Sequence, residues 1–117
     1  MNILIVEDST LIGRALQRFL SAHAVTVETR PDLALDRIMR GERYHAILCD
    51  LLMPEMTGVA FHAQVLVAVP EQAQKIIFMT AAADDARLQP VIDALPRPYL
   101  AKPIDVARLR KLLDDLL

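Results

Sequence analysis

Short apolar runs that stop at a charged or hydroxyl-bearing residue constrain this chain more than any other feature. Asn2 to Val6 reads NILIV and ends in Glu7-Asp8; His45 to Cys49 reads HAILC and ends in Asp50; Lys75 to Met79 reads KIIFM and ends in Thr80. A near-continuous apolar run of this length is how a strand buried on both faces reads, and such strands belong to parallel sheets covered by helices. Two weaker segments complete the set. Val25 to Thr29 (VTVET) alternates apolar and polar, which suits an edge strand with one wetter face. Tyr99 to Ala101 is a brief last strand that stops at Lys102-Pro103.

Helical spacing fills the gaps. From Leu11 onward Ile12, Ala15, Leu16, Phe19 and Leu20 recur at helical intervals, with Ser9 or Thr10 available as an N-cap. Pro31 suits a first helical position, and Leu33, Ala34, Leu35, Ile38 and Met39 carry a second helix to a stop at Gly41. A third helix after the Met53-Pro54 turn bears Val59, Phe61, Val65 and Leu66 and ends near Pro70. The fourth is interrupted: Pro90 lies inside the pattern Leu88, Val91, Ile92, Leu95 and kinks or shortens it. The last helix starts at Asp105 and presents Val106, Leu109, Leu112, Leu113 and Leu116 on one face.

Strands alternating with helices through short connections predict an α/β fold, a doubly wound five-stranded parallel sheet with right-handed crossovers. The usual order for such a sheet, 2-1-3-4-5, sets strands one and three side by side at the switch point. At 117 residues the chain is expected to be one domain spanning 1–117. A net charge of −2 gives no basic footprint for nucleic acid. The start MNILIVED breaks both a signal-peptide and a membrane-span pattern, and the lone Cys49 fits a reducing, cytoplasmic setting as a buried hydrophobe.

If strands one and three are neighbours, Glu7, Asp8 and Asp50 converge at one sheet edge, and three carboxylates so close require a cation. An all-oxygen site with few carboxylates favours magnesium. Strand four offers the Thr80 hydroxyl beside it and strand five the Lys102 ammonium. Each has a plainer reading: Glu7-Asp8 as a helix cap, Asp50 as a turn residue, Thr80 as structure, Lys102 as a solvated charge. Their joint placement at four strand ends supplies what phosphoryl transfer needs, with Asp50 as the nucleophile.

LIVED at 4 to 8, DLLMPEMTG at 50 to 58, MTA at 79 to 81 and LAKP at 100 to 103, in that order and spacing, resemble the receiver domains of two-component response regulators, over nearly the whole chain. The resemblance implies a flavodoxin-like receiver fold and a signalling domain rather than an enzyme, catalysing only its own phosphorylation and slow dephosphorylation. It implies Asp50 as phosphoacceptor, Asp8 and Asp50 as direct Mg2+ ligands, Leu52 as a backbone-carbonyl ligand and Glu7 as a water-mediated neighbour. It further implies Thr80 and Lys102 as the phosphate-binding pair, Tyr99 as the aromatic that switches with Thr80, and a cis Lys102–Pro103 bond. The donor would be a phosphohistidine on a histidine kinase or phosphotransfer domain. The output would be the face made by the fourth helix, fifth strand and last helix, read by a downstream protein or a fused kinase. The wording GERYHAILCDLLMP, PEQAQKIIFMT and LPRPYLAKP is more similar to receivers fused to hybrid sensor histidine kinases than to those of transcription factors. No DNA-binding or enzymatic output domain is expected within these residues.

Two departures from the family pattern stand out. Leu95-Pro96-Arg97-Pro98 replaces the Gly-Ala pair common before strand five, and Leu52 and Ala82, two residues after Asp50 and Thr80, are both apolar. Among rivals, a haloacid-dehalogenase-type phosphatase places a second Asp where this chain has Leu52. A flavodoxin-like cofactor binder needs a Ser/Thr/Gly-rich loop where this chain has EDSTL. A pseudo-receiver acting without phosphorylation is the remaining alternative, and the complete acid, Thr and Lys set argues against it. His23, His45 and His62 read as packing or surface residues.

Overall fold

A computed structural model describes residues 1–81 and 83–116; Ala82 lies outside the described residues. The elements run β1 (Asn2–Val6), α1 (Thr10–Phe19), β2 (Ala24–Glu28), α2 (Pro31–Met39), β3 (Ala46–Asp50), α3 (Gly58–Ala68), α4 (Pro70–Ala73), β4 (Ile76–Thr80), α5 (Gln89–Asp93), β5 (Tyr99–Ala101) and α6 (Val106–Asp115). The strands form one five-stranded sheet in the order β2-β1-β3-β4-β5, every pairing parallel. This is the flavodoxin-like, doubly wound architecture that the apolar runs predict.

Alternating residues of each strand feed two cores, because successive side chains point to opposite faces. Leu4, Val6, Ile47, Cys49, Ile76 and Phe78 face one way and pack under residues of α2, α3 and α5 such as Ile38, Phe61, Val65 and Ile92. Ile3, Ile5, Leu48, Ile77, Met79 and Leu100 face the other and pack under Leu16, Leu20, Leu109 and Leu113 of α1 and α6.

Capping sets where the helices begin. The Ser9 hydroxyl accepts from the Ile12 N–H, that of Thr57 from Ala60, and the Asp105 carboxylate from Ala107 and Arg108. Gly41 sits just beyond α2 at φ +106°, a left-handed conformation that glycine adopts without the cost of a Cβ.

Several expectations are corrected. The described residues hold six helices, one more than the sequence pattern predicts, since Pro70 starts a short helix of its own directly after α3. Pro90 does not kink a helix from its middle; it sits at the first helical positions of α5, which is short, five residues, in line with the shortening alternative. β2 shows no clean alternation of burial, since half-covered residues point to both faces. Leu11, Phe19, Leu33, Met39, Val59 and Leu66, which the helical spacing places toward the core, are exposed.

Candidate functional site

Register brings the acids together. Val6 pairs with Cys49 across β1 and β3, so Glu7 and Asp50 leave the sheet side by side. Glu7 is fully buried and Asp50 nearly so, whereas Asp8 is exposed. Carboxylate oxygens of Glu7, Asp8 and Asp50 lie within 4.8 Å of one another, a geometry that can hold a metal ion. The donors are all hard oxygens, which suits a hard divalent cation such as magnesium.

Lys102 comes to the same point from β5. Thr80 pairs with Ala101, and the Lys102 N–H donates to the Thr80 carbonyl at 2.8 Å, fixing where the lysine leaves the sheet. Its ammonium donates to Glu7 Oε1 and, at 3.3 Å, to Asp50 Oδ2. The Lys102–Pro103 peptide bond is cis. Asp50 Oδ1 accepts from the Leu52 N–H at 3.3 Å, and Glu7 Oε2 from the Ser9 N–H at 3.4 Å. Thr80 is buried at the end of β4, where Met79 pairs with Asp50 one position earlier. Leu52 is exposed beside the pocket.

The electrostatics follow from packing two acids, Glu7 and Asp50, against one ammonium. Burial, followed by the hydrogen bond and charge of Asp50, pushes the Glu7 carboxyl up to about 7 against the opposing pull of Lys102. Burial alone would lower the Lys102 ammonium; its hydrogen bond to Glu7 and the charges of Asp50 and Glu7 outweigh that and raise it. Metal-free, Glu7 is therefore only partly ionised near neutrality, and a cation would compete with its proton.

Other sequence candidates fall elsewhere. Tyr99 is half-buried against the core under α5, with its carbonyl accepting from Arg108 at 3.1 Å. The buried Cys49 thiol is pushed up by burial and by the two neighbouring acids, which leaves it inert as a nucleophile. His62 packs on Phe78 with ring centroids 5.9 Å apart, and burial followed by the Arg97 charge keeps it neutral. His45 accepts from the Asn2 N–H, and His23 sits by the N-terminal ammonium.

Sequence reasoning treats Gly58 only as a helix start and misses its place in the site. A Cβ there would lie 2.6 Å from the Asp50 carbonyl oxygen, 3.0 Å from Leu51 Cα and 3.2 Å from Phe78 Cδ1. The Gly58 N–H also donates to Leu51 at 2.8 Å. Gly58→Ala must displace backbone next to Asp50, and a destabilisation of about 1–3 kcal/mol is expected in denaturant titrations. A glycine at the end of a Met-Pro turn, where a helix begins, was the available signal.

A doubly wound sheet with a strand-end aspartate flanked by two further acids and a lysine defines a class of α/β domain with an acidic strand-end pocket that could hold a metal ion. The response regulator receiver domain model matches residues 3–114, and the chain belongs to that family, the receivers of two-component signalling. The chain is 25% identical over 122 residues to the osmosensing histidine protein kinase SLN1 of Saccharomyces cerevisiae, covering 98% of this chain and 10% of that protein. It is 30% identical over 120 residues to the sensory/regulatory protein RpfC of Xanthomonas campestris, covering 99% and 16%. It thus spans well under two thirds of either relative. The receiver domain of sensor histidine kinase PA1611 from Pseudomonas aeruginosa, solved with a magnesium ion coordinated in its active site cleft, superposes with a TM-score of 0.80 at 28% identity, covering 98% of this chain and 95% of that one. Among the described residues no helix is long and apolar enough to cross a membrane.

Proposed function

We propose that this receiver takes a phosphoryl group onto Asp50 from a phosphohistidine of a histidine kinase or phosphotransfer domain. The observation that carries the reading is Lys102, anchored by β5, with its ammonium between Glu7 and Asp50 at one sheet edge. An Asp50 carboxylate oxygen forms the new O–P bond as the donor's N–P bond breaks, and the released imidazole takes up a proton. Lys102 turns from the carboxylates to the phosphoryl oxygens, and the Thr80 hydroxyl donates to another of them. Asp8, Asp50 and the Leu52 carbonyl would hold Mg2+ directly and Glu7 through a water; the bound ion neutralises charge on the carboxylates and the transferring group. Tyr99, two residues before Thr80's strand partner Ala101, would follow the Thr80 hydroxyl, biasing the face of α5, β5 and α6 toward a downstream reader.

A groove of about 500 Å³ beside the pocket, lined by Ile12, Ala15, Phe19, Lys102, Pro103 and Ile104, suits the donor's landing surface. It is predominantly apolar and ends at the lysine, so a docked helix would bring its histidine toward Asp50. A pseudo-receiver needs no buried lysine between two carboxylates, and nothing in this pocket favours it. The test is the covalent state of the chain after exposure to a small acyl-phosphate donor with magnesium. One added phosphoryl group supports the reading, and an unmodified chain overturns it.

The metal set has its own test. Asp8 is the exposed member of the acid cluster, so Asp8→Ala removes a ligand at little cost to packing. Magnesium titration followed by calorimetry is expected to lose measurable binding in this variant, and an unchanged isotherm would count against the assignment.

A further inference from the structure

We propose that the protein donor docks on α1 through a helix whose apolar stripe is flanked by carboxylates, and that Arg14 and Arg18 receive those carboxylates. The inference rests on Asp50 as the phosphoryl acceptor and names the chemistry of what must come to it. From Ser9 to Val27 the sequence has no Asp or Glu, in a chain whose net charge is −2. α1 carries both arginines of that stretch, exposed and one turn apart. Among the described residues neither guanidinium joins a salt bridge or a side-chain hydrogen bond, whereas Arg30, Arg37 and Arg87 each hold an acid. Like charges at that spacing weaken a helix rather than support it. A place in the last turn accounts for Arg18; it gives no reason for Arg14.

Isolated exposed charges are ordinary, so the surroundings decide. Ala15 and Phe19, each the next residue along, line the groove that reaches Lys102. One helical step turns the arginines about 100° from them, onto the outer rim of the groove. Leu11 shares the arginine row and is 79% exposed, and Phe19 is 56% exposed. The surface is an apolar floor with a cationic edge, and the ligand that matches both is an amphipathic helix with acids beside its apolar face.

The reaction selects the occupant. A donor must bring its phosphorus in line with an Asp50 oxygen, and the Lys102 ammonium, 3.3 Å from Asp50 Oδ2, stands where the groove meets the pocket. A helix lying along α1 therefore has its histidine directed at the acceptor. A membrane surface fits less well: the floor is concave, and two cations with two protruding apolar side chains give a bilayer little to hold. Charges on a rim act on encounter more than on the chemical step, so Arg14 and Arg18 discriminate among donors without touching the phosphoryl group.

Purified phosphorylated histidine phosphotransfer proteins that differ in charge around the phosphohistidine are the probes, each offered to the whole chain. Arg14→Glu and Arg18→Glu together are expected to slow transfer from acidic-rimmed donors at least about tenfold in kcat/KM, and to leave basic-rimmed donors no slower. With the wild type, the acidic donors are expected to slow as salt rises from about 0.1 to about 1 M, where the screening length falls from about 10 Å to about 3 Å. Labelling by an acyl phosphate is expected to stay at the wild-type rate in the double variant. Donor rates indifferent to the double variant, with normal acyl-phosphate labelling, overturn the docking and leave the Asp50 reading standing. A wild type labelled by neither kind of donor overturns both. Vesicles of phosphatidylserine and phosphatidylcholine that sediment the wild type but not the double variant also overturn the docking, assigning the arginines to a lipid surface.

Discussion

Asp50→Asn is expected to abolish phosphoryl incorporation from an acyl phosphate, lowering the rate more than about a hundredfold, or nearly 3 kcal/mol in the barrier. The amide keeps the shape of the carboxylate and can still accept from the Leu52 N–H, but it lacks the charged oxygen that attacks phosphorus. The neighbouring acids do not substitute well: Glu7 is fully buried, hydrogen-bonded to Lys102 and partly protonated near neutrality, and Asp8 is exposed, away from the Lys102 hydrogen bonds. Stability moves the opposite way. Removing one of three crowded carboxylates relieves repulsion, so the metal-free variant is expected to melt no lower than the wild type. Intact-mass measurement and a thermal melt on the same samples check both. Incorporation that survives the substitution would show the acceptor lies elsewhere.

Lys102→Ala is expected to cost the metal-free chain about 3 kcal/mol at pH 8, because removing one partner of a buried ion pair leaves the other uncompensated. The lysine bridges Glu7 and Asp50, and both acids face burial without it. The pH dependence has a definite sign. Glu7 already sits at about 7 in the folded chain, above its ordinary 4.5, and loss of the lysine pushes it further up. A raised carboxyl means the folded state holds more protons than the unfolded one. The associated stability is full below the ordinary carboxylate range and is lost as pH rises through the folded value. The penalty for Lys102→Ala is therefore small near pH 5 and grows toward pH 8, and saturating magnesium reduces it by neutralising the same acids. Denaturant titrations at the two pH values, with and without magnesium, measure this. A pH-independent penalty would mean the lysine acts through packing of its stem.

Most of the sheet was legible because its strands are short apolar runs, and the site because each run stops at a chemically distinctive residue. Asn2–Val6 and Tyr99–Ala101 carry their observed limits directly in sequence, and Asp50 marks the end of β3. Periodicity is less informative where a helix is apolar on every side. In α3, Phe61 and Leu66 are both large and apolar but lie on different sides of the helix, and one is buried and the other half-exposed, since only tertiary packing selects the inward side. Pro90 was ambiguous for a different reason: a proline disrupts a helix interior but fits its first turn, and the sequence does not state where the turn begins. The Lys102–Glu7 contact lay beyond reach because it joins residues 95 positions apart through side-chain geometry that strand order alone leaves open.

The separation of the helices by the sheet has a consequence for traffic. α1 and α6 pack on one face and α2 through α5 on the other, so anything resting against α1 beside Lys102 leaves the opposite layer, from α2 to α5, uncovered.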